Sequence, residues 1–126
     1  MKIQDRLDTL LYRGLIDTEI IDLTIEVKQI LVAWQIDVNT GQVELLLVHF
    51  AMALGRIKRG YAAQPLFSSF FSEITHSKNY QQILSFHQFI LNKIPFSIPE
   101  SEQTHFIANL YSLSLGQPQL LDNILD

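Results

Sequence analysis

The sequence predicts an all-α protein, a compact bundle of five or six helices. Apolar residues recur at helical spacing along nearly the whole chain, and glycine, proline and turn residues separate the apolar runs. No alternating apolar and polar run indicates a strand or a hairpin. The 126 residues suffice for one hydrophobic core. We therefore expect a single domain, residues 1–126.

The first two helices are separated by a short glycine-containing turn. The first is predicted over residues 2–13 and ends at Gly14, which suits the left-handed position after a helix. The second is predicted over residues 18–35. Its wide apolar stripe consists of Ile20, Ile21, Leu23, Val27, Ile30, Leu31 and Trp34. The stretch DVNTGQ that follows supplies a turn and a helix cap.

The third helix, residues 41–59, is apolar around most of its circumference and is followed by Gly60. Such a helix usually packs on more than one side, so we expect it at the centre of the bundle. One face consists of Val43, Leu46, Leu47, Phe50, Leu54 and Ile57, and a neighbouring face of Leu45, His49, Met52 and Arg56.

The second half of the chain contains a shorter, aromatic-rich segment and a fifth helix. Pro65 is predicted to open the fourth segment, which includes Phe67, Phe70 and Phe71. The fifth helix is predicted over residues 79–92 and ends at the stretch KIPFSIPESEQ.

The sixth helix begins near residue 97 and continues to about Leu115. Ser97 and Glu100 have capping-box spacing, and Pro99 would lie in the first turn, where its missing N–H costs nothing. Residues 116–126 could add a short final turn or two.

The amino-acid composition disfavours or excludes several classes of function and site. The net charge is −4, which disfavours direct nucleic-acid binding, and the absence of cysteine excludes disulfides and thiolate zinc sites. Only 17% of residues are charged, which indicates that a partner covers some apolar surface, most simply a second copy in a homodimer. With no signal peptide and no apolar run of about 20 residues, we expect a cytoplasmic protein without a membrane span.

Catalytic and metal-binding patterns are missing. His76, His87 and His105 are too widely spaced for a metal-binding pair and are interpreted as surface or half-buried side chains. No nucleophile-elbow or phosphate-loop motif occurs. The stretch GRIKRGY could form a small basic patch, but cations at a helix end are also favoured by the helix dipole. We expect no enzyme activity, no cofactor and no metal.

His49 allows two interpretations. On a mostly apolar helix it could be an ordinary packed side chain. Arg56 lies seven residues later, two turns along the same face, so its guanidinium could approach an anion held at His49. Periodicity alone does not choose between them.

Two stretches together resemble the PTS regulation domain (PRD), a helical module that controls sugar-utilisation genes through the phosphoenolpyruvate-dependent phosphotransferase system. The stretch HFAMALGRIKRG and the QPL that follows look like the family's first histidine block; IPESEQTHFIANL is similar to the acidic start of its last helix. The resemblance spans residues 18–115. It is carried by His49, Phe50, Ala53, Leu54, Arg56, Gly60, Pro99, Glu100 and Glu102.

The resemblance implies phosphoryl acceptance on His49. The donor would be the histidine-containing phosphocarrier protein or an EIIB-type sugar-transporter domain, and Arg56 and Arg59 would be the phosphate-contacting cations. The family's second acceptor is lost, because Asn109 (or Leu110, if FIA is aligned) occupies its position. His105, one turn earlier on the same face, is the candidate substitute.

Two further departures concern the family pattern around these blocks. Val48 replaces an aspartate that often precedes the first histidine, and EITHSKNY replaces a Tyr-Pro segment. The resulting hypothesis is a stand-alone transcriptional regulatory domain that signals through a dimer or an unknown effector protein. The alternative is a non-phosphorylated helical dimerisation or protein-interaction module derived from a PRD, with His49 packed.

Overall fold

The computed structural model describes residues 2–124, and the side chains of residues 2–122. The described chain contains helices and no strand, as predicted. The helices are α1 (Ile3–Tyr12), α2 (Thr18–Ala33), α3 (Gly41–Lys58), α4 (Ser68–Thr75), α5 (Tyr80–Leu91), α6 (Glu100–Gly116) and α7 (Gln119–Ile124). The short last helix brings the number to seven. None of these helices combines the length and the apolar character needed to cross a membrane.

Local signals set the ends of the first three helices. The Asp17 side chain accepts a hydrogen bond from the Ile20 amide at the start of α2, and Thr40 accepts one from Val43 at the start of α3. Gly14 and Gly60 have φ angles of 73° and 88°, the left-handed conformation expected after a helix. These boundaries agree with the sequence prediction to within two residues.

Two predicted helix starts are wrong. Pro65 does not open a helix, because residues 61–67 have no regular secondary structure and α4 begins at Ser68. At α6, Pro99 has φ −56° and ψ 143°, an extended conformation, so it precedes the helix and does not lie in its first turn. The capping box of Ser97 and Glu100 is therefore absent, and no side chain caps α6.

The third helix is central, as its apolar circumference predicted. It contacts α1, α2 and α6, while α6 in turn contacts α4, α5 and α7. The buried residues of α3 are Val43, Leu46, Leu47, Val48, Phe50, Ala51, Ala53, Leu54 and Gly55. The α3–α6 contact joins the two halves of the fold, and it also brings together the two stretches that resemble a PRD.

Candidate functional site

His49 lies on the exposed face of α3. Its neighbours in sequence, Val48 and Phe50, are buried, which holds the helix against the core and leaves the imidazole in contact with solvent. Leu45 and Met52, one turn before and after it, remain 48% and 39% exposed. Within the single chain, His49 is therefore an exposed side chain and not a packed core residue.

A groove runs between α3 and α6 beside His49. We call it the α3–α6 groove; its volume is about 410 Å³, and its walls include His49, Met52, Arg56, Ala63, Glu102 and His105. A smaller cleft of about 130 Å³ on the other side of His49 is lined by Asn109 and Ser112 of α6. The structure thus places His49, Arg56 and His105 in one groove and Asn109 in the adjacent cleft.

Arg56 is held in the groove by a bidentate ion pair. Its Nε and Nη2 donate to the two carboxylate oxygens of Glu102 at 2.8 and 2.9 Å. Glu102 is fully buried and also accepts a 3.0 Å hydrogen bond from the Ala63 amide. Burial acts to raise the pKa of Glu102, but the Arg56 guanidinium and the Ala63 amide outweigh it and hold that pKa below its ordinary value. Hydrogen bonding to Glu102 raises the pKa of Arg56, so the pair is ionised.

His105 is half-buried on the opposite wall of the groove. Its Nε2 lies 2.7 Å from the carbonyl oxygen of Gln64. A carbonyl oxygen only accepts, so Nε2 carries a proton in this contact, and Nδ1 is the nitrogen with a lone pair when the ring is neutral. His105 is thus oriented by the segment that follows α3.

Arg59 lies apart from the groove. It is exposed at the C-terminal end of α3, and its guanidinium donates to the carbonyl oxygen of Leu15 at 2.6 Å. Ten residues separate it from His49, which at 3.6 residues per turn places it about 80° around the helix axis. Nearby Lys58 pairs with Asp17 and Glu19. Of the three cations in GRIKRGY, only Arg56 is in a position to contact a group held by His49.

The prediction that His87 is exposed or half-buried is wrong. Only 1% of His87 is exposed, and its Nε2 lies 3.0 Å from Oε1 of Gln103. The amide nitrogen of Gln103 donates to the Ile98 carbonyl, so the amide oxygen is the acceptor and His87 donates to it. Burial lowers the pKa of His87, with a smaller opposing effect from Gln103. His76, in contrast, is exposed and hydrogen-bonds the Ser72 carbonyl.

We expect His87 to make the fold less stable in mild acid. Because its pKa is lowered in the folded state, the unfolded chain binds a proton below about pH 6.5 that the folded chain does not bind, so the free energy of unfolding falls with pH from there down to the folded-state pKa. Urea unfolding between about pH 5 and 7.5 measures this slope. His87→Gln keeps a donor for Gln103 but cannot titrate, and it should reduce the slope by up to about 1.4 kcal/mol per pH unit. An unchanged slope in that variant would contradict the assignment.

Ala63 of the groove and Thr104, a residue of α6 outside the groove, belong to no motif or periodic pattern in the sequence. Ala63 contributes its backbone amide, and Thr104 accepts a 2.8 Å hydrogen bond from the Leu66 amide. Both contacts join positions about 40 residues apart, so neither composition nor helical periodicity could indicate them.

Comparisons with known proteins give two relatives of similar length. An uncharacterized protein of Haemophilus influenzae is 42% identical over 121 residues, which cover 95% of this chain and 97% of that protein. The uncharacterized protein YhfY of Escherichia coli is 29% identical over 111 residues, 87% of this chain and 92% of YhfY. No family model and no solved structure matches the chain. The chain belongs to the same family as the Haemophilus influenzae protein.

Proposed function

We propose that this protein is a cytoplasmic, phosphotransferase-system-linked transcriptional regulatory domain that accepts a phosphoryl group on His49. The observation that carries the proposal is the position of His49, exposed on α3 in the same groove as an arginine fixed by a buried carboxylate. A phosphoryl acceptor must be reachable by a donor protein, and its product must find a cation nearby. Both requirements agree with this placement.

The transfer needs no cofactor. The lone pair of the unprotonated ring nitrogen of His49 forms a bond to phosphorus, while the bond between phosphorus and the donor side chain breaks and its electron pair leaves with the donor. The proton on the other ring nitrogen of His49 passes to solvent. The donor is the histidine-containing phosphocarrier protein or an EIIB-type sugar-transporter domain, and this chain acts as acceptor and not as enzyme.

Arg56 stabilises the phosphorylated form. Its hydrogen bonds to Glu102 use Nε and Nη2, so Nη1 is the nitrogen left for a phosphoryl oxygen. Glu102 holds the guanidinium in the groove until the phosphoryl group arrives, and the phosphoryl oxygens then compete with the carboxylate for it. Arg59, on its separate face, has no part in this contact.

The signal is a change in surface charge. Phosphorylation adds roughly two negative charges between the exposed side chains of Leu45 and Met52. An apolar face that favours contact with a second copy or an effector protein thereby becomes strongly charged. The homodimer or the effector contact changes in response, without direct contact to nucleic acid or membrane.

The experiment is a phosphotransfer assay on the intact chain. We expect the mass to rise by one phosphate when the protein is incubated with phosphoenolpyruvate, enzyme I and the phosphocarrier protein, with or without an EIIB domain. The mass is read under alkaline conditions, which preserve phosphohistidine. His49→Ala should abolish the gain. His76→Ala is the matched control, because His76 is also exposed but lies on the C-cap of α4, outside the groove.

The pattern of results among the histidine variants assigns the acceptor. A gain that persists in His49→Ala and vanishes in His105→Ala would move the acceptor to His105. No gain with any donor would overturn the proposal.

The second candidate function is a non-phosphorylated dimerisation or protein-interaction module. The exposed Leu45 and Met52 favour it, because an apolar face on a central helix is typical of a contact surface. The non-phosphorylated module is favoured over the phosphoryl-accepting regulator if no donor phosphorylates the chain and the chain still self-associates in sedimentation measurements.

A further inference from the structure

Side-chain hydrogen bonds attach the segment that connects α3 to α4 to the rest of the fold. Residues 61–67, which we call the strap, have no regular secondary structure. Among the described residues, positions 62–66 form no backbone–backbone hydrogen bond. A segment of this kind depends on side chains of other elements to satisfy its amides and carbonyls.

Three side chains of α6 provide this attachment. The Ala63 amide donates to Oε2 of Glu102 at 3.0 Å, and the Leu66 amide donates to Oγ1 of Thr104 at 2.8 Å. The third bond runs from Nε2 of His105 to the Gln64 carbonyl, at 2.7 Å. Glu102 and His105 are also walls of the α3–α6 groove, so the groove and the strap share their anchors.

Oε2 of Glu102 couples the strap to Arg56. This one oxygen accepts from Nε of Arg56 at 2.8 Å and from the Ala63 amide at 3.0 Å. Because Glu102 is fully buried, its negative charge depends on the guanidinium for compensation. If Arg56 turns away, the carboxylate must take up a proton or move toward water, and either change weakens its bond to Ala63.

We infer that the strap is a latch controlled by negative charge in the α3–α6 groove: a phosphoryl group on His49 draws Arg56 from Glu102 and releases residues 61–67 from α6. This inference rests on the proposed function and adds its mechanical consequence. The released segment carries Tyr61 and Phe67, which are 67% and 68% exposed, so a charge change at His49 alters a second part of the surface.

The test is residue-resolved hydrogen exchange on the full chain, with and without phosphate on His49. We expect the amide of Ala63 to exchange at least about tenfold faster in the phosphorylated protein, because its acceptor Glu102 is displaced. The amide of Leu66, which donates to Thr104, should exchange faster as well, because the strap leaves α6 as one segment. The amide of Leu31, in the buried part of α2, should keep its rate and serves as the internal control for global unfolding.

A variant tests the latch without phosphate. Arg56→Gln removes the guanidinium and should loosen the same two amides, while Arg59→Gln, on a different face of α3, should leave them unchanged. If Arg56→Gln also speeds exchange at Leu31, Arg56→Lys provides a milder version, since it keeps the charge but loses the bidentate geometry.

The outcomes separate the two proposals. Phosphorylated protein with unchanged rates at Ala63 and Leu66 would overturn the latch and leave phosphoryl acceptance in place. A chain that no donor phosphorylates would overturn the proposed function and phosphate control of the strap together. Unchanged rates in Arg56→Gln would show that the ion pair does not hold the strap.

Discussion

Replacing Gly55 with alanine is expected to destabilise the fold by about 3 kcal/mol, even though alanine is the better helix former by about 1 kcal/mol. Gly55 is buried near the C-terminal end of α3. A Cβ at this position would lie 2.1 Å from the carbonyl oxygen of Leu15 and 3.1 Å from Cγ2 of Ile16. The first of these atoms belongs to the backbone, so α3 and the α1–α2 connection must move apart to admit a methyl group.

Gly41→Ala is the matched control for this prediction. Gly41 opens the same helix, and an added Cβ there would meet no atom within 4 Å. We expect that variant to be neutral or slightly stabilised in thermal and urea unfolding. Equal stability of the Gly55 and Gly41 variants would contradict the close approach of α3 to Leu15.

Arg56→Met is expected to destabilise the protein by about 2–3 kcal/mol at neutral pH, because it leaves a fully buried carboxylate without its counter-ion. Breaking a fully buried pair costs roughly 3–5 kcal/mol; the smaller figure reflects the side chain of Arg56, which is 35% exposed. Urea unfolding measures the loss. Arg59→Met removes only an exposed hydrogen bond to Leu15 and should cost less than about 1 kcal/mol.

The pH dependence of the Arg56 variant distinguishes lost charge pairing from lost packing. In the native protein the pKa of Glu102 is lowered, so the pair contributes stability above the ordinary carboxyl pKa and loses it as the pH falls through the folded-state value. Without Arg56, burial, the largest influence on Glu102, is opposed mainly by the Ala63 amide, so the pKa of Glu102 rises from its native value. The deficit of Arg56→Met should therefore shrink as the pH falls from neutral toward about 5.

A double variant provides a second check on the same pair. Arg56→Met with Glu102→Gln removes both charges, and we expect it to be more stable than Arg56→Met alone at neutral pH. A double variant as unstable as the sum of the single variants would mean that Arg56 and Glu102 contribute independently, against the bidentate contact.

The two stability predictions and the functional proposal concern the same helix. Gly55 brings α3 against the α1–α2 connection, Arg56 links it to α6, and His49 lies on the face that remains open. Arg56→Met should therefore affect phosphoryl acceptance as well as stability, whereas His49→Ala, at an exposed position, should leave the unfolding free energy nearly unchanged.

The helical fold could be predicted from the sequence because its signals are local. Helix starts at Asp17 and Thr40 and helix ends at Gly14 and Gly60 depend on residues within one turn, and the apolar circumference of α3 already indicated its central place. The same reasoning failed at Pro65, where a local helix-start preference was overridden by the attachment of the strap to α6.

The candidate site was predicted only in part. Sequence spacing placed His49 and Arg56 on one face of α3, and the resemblance to a PRD suggested the chemistry. The bidentate contact to Glu102, the separation of Arg59 and the burial of His87 came from the structure alone.

What the sequence determined by itself is therefore the set of helices, their approximate ends and the one histidine on a face shared with an arginine. Only the tertiary structure decided which charges are paired, which histidine is buried and what holds residues 61–67. The physical reason is distance along the chain: periodicity and capping act over a few residues, whereas the contacts of Glu102, His105 and Gly55 join positions about 40 residues apart. Such contacts exist only after the helices and their connections have packed together.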